Sequence, residues 1–310
     1  MKTSLNQTEP NEFTRRKIGR IILILCVLLL ASAAVGLFIY NKKETARAGF
    51  NGETALKDVQ YQVSLGARTP GSEAHVVVVK WLCQELAASS WQVEEQDSSL
   101  MGHPIQNIVA KRGSGSPWII LGTHYDSRML SDHDPDPALR SQPVPAANDG
   151  ASGVAVLLEL ARGLPQTLHS QIWLLFFDAE DQGDIKGWDW ILGSRSFAQQ
   201  LAAKPDAVVV IDMIGDKNLD IYYEKNSNPE LSQAIWSIAD QAGYQQQFIP
   251  KEKYSMKDDH TPFLEQGIRA VDIIDFDYPY WHTTADTPDK VSAESLHAVG
   301  DTLFRWILTQ

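Results

Sequence analysis

Apolar positions along the chain switch between two periods from about residue 70 onward. Spacings of three and four predict helices over SEAHVVVVKWLCQELAAS (72–89), GASGVAVLLELARGL (150–164), SRSFAQQLAA (194–203), ELSQAIWSIADQAG (230–243) and ESLHAVGDTLFRWILTQ (294–310). Between them, short apolar runs predict strands over QNIVAKR (106–112), WIILG (118–122), QIWLLFFD (171–178), DAVVVIDMIG (206–215), DIYYE (220–224) and AVDIID (270–275). Strands this apolar, alternating with helices, predict an α/β fold: a mostly parallel mixed sheet with helices on both faces. No repeat of solenoid or propeller type is visible.

One segment has neither period. Residues 21–40, IILILCVLLLASAAVGLFIY, carry no charge, and about 20 such residues cross a bilayer core of roughly 30 Å. Arg15, Arg16, Lys17 and Arg20 precede it, which places the N-terminus in the cytoplasm and everything after the segment outside. A cleaved signal peptide is the alternative, with ASAA as its cleavage site; the long n-region and long apolar run favour a retained anchor. The expected organisation is a basic cytoplasmic tail (1–20), one transmembrane helix (21–40), a polar linker (41–53) and a single catalytic domain (54–310). A net charge of −12 argues against nucleic acid as a partner. Cys26 lies in the apolar segment and Cys83 is the other cysteine, so the domain is expected to hold together without a disulfide.

In mostly parallel sheets, ligands bind beyond the carboxyl ends of the strands. Here four predicted strands run into THYDS (His124, Asp126), DAED (Asp178, Glu180, Asp181), DMIGD (Asp212) and FDYPYWHTTAD (His282). AANDGASG adds Asp149 just before a predicted helix. Taken singly, each has a plain explanation: Asp149 as a helix cap, Asp126, Asp178 and Asp212 as turn formers, His282 as a packed histidine. Together they supply only imidazole and carboxylate at one sheet edge, the donors zinc takes in catalytic sites. Glu180 and Asp181 are adjacent, so on an extended backbone they point to opposite sides. One can hold metal while its neighbour moves a proton.

The ordered set THYDS, AANDGASG, FFDAED, DMIG, DDHTPFLEQG and YWHTTADTPDKV resembles the zinc metallopeptidases of the bacterial leucyl-aminopeptidase type, a superfamily that also contains the glutaminyl-peptide cyclotransferases. The likeness spans roughly 59–310. It implies a zinc exopeptidase fold and a pair of zinc ions. By position, Asp149 matches the bridging carboxylate, His124 and Asp212 the ligands of one ion, and Asp181 and His282 those of the other. Glu180 matches the general base and acid, and Asp126 the carboxylate that orients His124. Aminopeptidases often carry Glu where this protein has Asp181. Asp259, Trp281, Trp188 and Trp190 are expected near the substrate, and His133 on a mobile rim loop, not as a ligand.

Two activities remain open from these residues, both on peptides with a free N-terminus. The leading expectation is a membrane-anchored aminopeptidase with two zincs, since AANDGASG resembles the aminopeptidase form of the bridging motif and all five ligands are present. A glutaminyl cyclase, which often keeps the same ligands, is the alternative. The Trp281–His282 pair, DDHTPFL and the GSR of 193–195 resemble glutaminyl cyclases, which use one zinc. A non-catalytic binding ectodomain is disfavoured, because no ligand and no base is missing.

Overall fold

Eight strands form in the computed structural model, which describes residues 49–310. The anchor expected over 21–40 lies outside the described residues, and among these no helix is long and apolar enough to cross a membrane. The central sheet contains β1 (Gln92–Leu100), β2 (His103–Arg112), β3 (Trp118–His124), β4 (Gln171–Phe177), β5 (Ala207–Asp212) and β8 (Ala270–Ile274), in the order β1-β2-β4-β3-β5-β8. The β1–β2 and β2–β4 pairs are antiparallel, and β4–β3, β3–β5 and β5–β8 are parallel. The sheet is therefore mostly parallel and mixed, as the alternation predicts. β6 (Ile221–Tyr223) and β7 (Phe248–Glu252) make a separate parallel pair.

Side chains of successive strand residues go to opposite faces, and the core divides accordingly. Ile119, Leu121, Leu174, Phe176, Val209 and Ile211 face one cluster. It is shared with α1 (Gly52–Ser64), α2 (Glu73–Ala88), α3 (Ala151–Gly163), α5 (Pro229–Ala242) and α7 (Ala293–Leu308). Ile120, Leu175, Phe177, Val208 and Val210 face the other, with Phe197 of α4 (Leu192–Gln199) and Phe263 of α6 (Thr261–Glu265). Burying both faces of the central strands is what demands their near-continuous apolar sequence.

Four elements escape the periodicity. In α1 the inward stripe includes Asp58 and Gln62, which are buried because Arg162 bonds Asp58 and Gln62 donates to the Ala151 carbonyl. Polar residues with partners thus interrupt its apolar pattern. The folded region also begins earlier than the linker boundary suggests, since Phe50 is buried and Asn51 caps α1. Strand β1, QVEEQDSSL, lies at the sheet edge with no fully buried residue. The short β7 and α6 offer too few residues for a period. Helix α4 is displaced, running over 192–199 in place of 194–203.

Parallel pairing aligns His124 with Phe177 and Asp212 with Ile274, so β3, β4, β5 and β8 end at one edge. Helix α3 is pressed against that edge at Gly153. A methyl group there would overlap Thr123 Oγ1 and come within 2.9 Å of the Ile211 carbonyl. Gly153 therefore brings the N-terminus of α3, and Asp149 ahead of it, between the ends of β3 and β5. Gly153→Ala is expected to lose about 1–3 kcal/mol of stability, the usual cost of overpacking. Denaturant melts check this; an unchanged midpoint would show that the helix can shift without cost.

Candidate metal centre

Beyond the ends of β3 and β5, His124, Asp149 and Asp212 converge. His124 Nε2 lies 3.1 Å from Asp149 Oδ1 and 3.2 Å from Asp212 Oδ1. Asp149 also faces a second group: His282 Nε2 is 2.8 Å from Asp181 Oδ1 and 3.7 Å from Asp149 Oδ2. The two triples His124–Asp149–Asp212 and Asp149–Asp181–His282 each keep their donor atoms within 4.8 Å of one another, and Asp149 belongs to both. The five expected ligands are thus brought together, all of them buried.

Each is held by something behind it. Asp126 is fully buried and lies 3.4 Å from His124 Nδ1. It also accepts the N–H of Glu180 (3.0 Å) and the amide of Gln182 (2.9 Å). One carboxylate therefore lies behind His124 and fixes the turn that carries Glu180 and Asp181. That turn is not extended: β4 stops at Phe177 and Ala179 has a φ of +50°. The divergence of Glu180 and Asp181 comes from a bend, not from strand alternation. Asp149 does not cap α3. Gly150, at φ +92°, is the capping residue, and a side chain there would strike His124. Asp286 instead holds the Asp149 loop, accepting the N–H groups of Asn148 (2.9 Å) and Asp149 (3.1 Å) and the hydroxyl of Tyr278 (2.6 Å).

Three supporting residues escape sequence reasoning. Asp286 was legible only as part of TTAD. Arg68, fully buried, donates to the carbonyls of Tyr125 and Ala146 and so joins two ligand-bearing loops. Asp132 lies 3.6 Å from His282 Nδ1, as Asp126 does behind His124, and is itself gripped by Arg128 at 2.7 and 2.8 Å. The 131–142 segment is also not a free rim: His133 N–H donates to the His282 carbonyl, and Asp134 accepts both the N–H and the hydroxyl of Thr284.

The aromatic expectations divide. Trp281 stacks on His282 at 3.8 Å and 29°, and Trp190 lies parallel to the same ring at 5.9 Å and 11°. Trp188 goes elsewhere, stacking on His103 and packing by Ile105, Ala179 and Leu192. Asp259 is fully buried, and neither of its carboxylate oxygens has a hydrogen-bond partner.

The electrostatics favour a cation. Burial pushes Glu180 well above the usual carboxylate range, and Asp181, Asp258 and Asp259 add to it. Burial pushes Asp181 up to about 6 and Asp212 and Asp286 up to about 7. Burial would lower the His124 imidazole, but Asp126, Asp149 and Asp212 outweigh it and raise it. Without a metal, protons neutralise the cluster. Asp149 Oδ2, Asp181 Oδ2 and His282 Nε2 meanwhile have no hydrogen-bond partner. Buried orphan donors of imidazole and carboxylate type suit zinc.

The chain belongs to peptidase family M28, which residues 107–307 match. Its fold is similar to a Zn-dependent exopeptidase from Parabacteroides distasonis, with 31% identity and a TM-score of 0.80 over 84% of this chain and 99% of that one. It is also similar to the glutaminyl cyclase of Porphyromonas gingivalis, with 33% identity and a TM-score of 0.78 over 83% of this chain and 97% of that one. Among curated proteins, the glutaminyl-peptide cyclotransferase of Boiga irregularis is 26% identical, covering 77% of this chain and 76% of its own length.

Raised carboxylates fix a pH dependence. Asp181, Asp212 and Asp286 bind protons more tightly folded than unfolded, so stability falls as pH rises between about 4 and 7. The melting temperature of the metal-free protein is expected to drop across that range, and added zinc to remove the slope. A flat profile without metal would contradict the cluster's charge balance. Asp126→Asn is expected to weaken metal retention about 10–100-fold, measured by competition with a chelator; unchanged retention would show that Asp126 does not orient His124.

Proposed function

We propose that this M28 enzyme is a glutaminyl-peptide cyclotransferase, closing an N-terminal glutamine onto its own α-amine with release of ammonia. The observation that carries this reading is the aromatic setting of His282. Trp281 and Trp190 both lie near-parallel to its ring, so flat apolar surface flanks the His282 side of the Asp149–Asp181–His282 group. Such surface suits two methylenes ending in a planar carboxamide.

In this reading Asp149, Asp181 and His282 hold one zinc ion, which when bound polarises the carboxamide carbonyl as a Lewis acid. The protein's own residues manage the protons. An α-ammonium group has a pKa near 8 and must lose a proton before its nitrogen attacks. Glu180, whose proton affinity burial raises, is the acceptor. That first proton passes to solvent. As the new C–N bond forms, Glu180 takes a second proton from the attacking nitrogen and returns it to the carboxamide nitrogen as that C–N bond breaks, so ammonia leaves and the ring keeps one N–H. Asp259, whose oxygens are uncommitted, is placed to accept from the substrate's amine or amide. Asp126 keeps Glu180 in position through its backbone.

A second reading rests on a specific feature, the complete His124–Asp149–Asp212 group. With an ion there too, the enzyme would be a two-zinc aminopeptidase in which Glu180 activates water. In either case we propose peptides with a free N-terminus as substrates, and residues 21–40 as a tether that keeps the domain outside the cytoplasm.

Glutaminyl and leucyl peptides offered to the purified enzyme, with metal counted by elemental analysis, separate the two. Loss of ammonia with the peptide bond intact and one zinc per protein molecule is the expected result; free leucine with two zincs would overturn the cyclase assignment. Glu180→Gln is expected to retain metal and lose about 10²–10⁴-fold in turnover. Full activity in that variant would remove Glu180 from the mechanism.

A further inference from the structure

Next to the buried centre lies a third group of metal-ligating side chains. Asp132, His133 and His282 place one donor atom each within 4.8 Å of one another. His282 contributes its outward nitrogen, Nδ1, since Nε2 faces Asp181. That nitrogen is buried and has no hydrogen-bond partner, with Asp132 Oδ1 3.6 Å away. His133 is exposed, its ring centre 5.2 Å from that of His282. The backbone fixes this proximity, because His133 N–H donates to the His282 carbonyl at 3.2 Å.

We propose that Asp132, His133 and His282 Nδ1 form an accessory cation site beside the buried centre, suited to Zn²⁺ and similar late first-row ions, whose filling inhibits the enzyme. This rests on the reading of His282 as an active-site ligand through Nε2. Two imidazoles and one carboxylate select zinc, nickel or copper over magnesium or calcium, which prefer all-oxygen sites. Arg128 already occupies Asp132 from one side. A carboxylate offers about four lone-pair positions, so room for a cation remains. The guanidinium charge makes the site weaker than the buried centre, so it fills only when zinc is in excess. Binding forms a metal–Nδ1 bond and releases the Nδ1 proton to solvent. His282 thereby loses the support of Asp132, and the ion sits against Trp281, on which His133 already packs edge-on at 4.5 Å.

The test uses the purified full-length protein in buffers of defined free zinc, reading both bound zinc and peptide turnover. Wild type is expected to take up one zinc beyond those that the buried His124, Asp149, Asp181, Asp212 and His282 donors hold, over the same range in which turnover falls. His133→Phe keeps the aromatic contact with Trp281 but lacks nitrogen. It should retain the tightly held metal and need about 10-fold or more zinc for both effects. His133→Ala should behave like it, and magnesium should produce neither effect in wild type. Further uptake and inhibition at the same free zinc in wild type and both variants, or no further uptake by wild type, would overturn the proposal. If glutaminyl peptides prove not to be substrates, the uptake comparison alone still decides it, whereas loss of all tightly bound metal would instead refute the active-site reading.

Discussion

Carboxylates gathered where water cannot screen them repel one another, and this repulsion organises one whole edge of the molecule. Asp149, Asp181, Asp212, Glu180 and Asp259 are all buried at the ends of the central strands. Such a group is stable only with protons or a cation among its members. The surroundings are arranged to tolerate it. Asp126 and Asp286 turn their own charges toward backbone N–H groups, and Arg128 brings its guanidinium to 3.7 Å from Asp181. The same arrangement that makes the cluster costly without a metal suits it to a dication.

The fold's contribution is to make that crowding possible. Parallel pairing delivers four strand ends to one edge, and Gly153 lets α3 approach closely enough to insert Asp149 between two of them. Gly150 then turns the backbone without a Cβ that would collide with His124. Neither glycine carries chemistry. Both set the spacing on which the ligand triples depend, so backbone approach and electrostatics act on the same few atoms.

Sequence reasoning brought out the candidate centre and Asp126 behind it but not the other supports, for a physical reason. His124 and Asp212 close their strands, and Glu180 and Asp181 follow β4 by a few residues, so an apolar run stopping at them is conspicuous. Asp132 and Asp286 sit in loops already rich in Asp, Pro and Thr, where one functional carboxylate looks like its neighbours. Trp188 and Trp190 lie two residues apart in the same loop, and only packing sends Trp190 toward His282 and Trp188 to His103. Arg68 and Gln62 are buried by long-range bonds to backbone carbonyls that no local pattern announces. The central strands were legible because both faces are buried. The edge strand β1 was not, because neither face is.

A cation in the carboxylate–imidazole cluster is the condition on which the site's chemistry depends. Anomalous diffraction at the zinc edge, on crystals of the purified protein, locates such an ion directly. A peak bonded to Asp149, Asp181 and His282 is the predicted result. A zinc found only elsewhere, with these side chains still bonded to one another, would contradict the assignment of this edge as the metal centre.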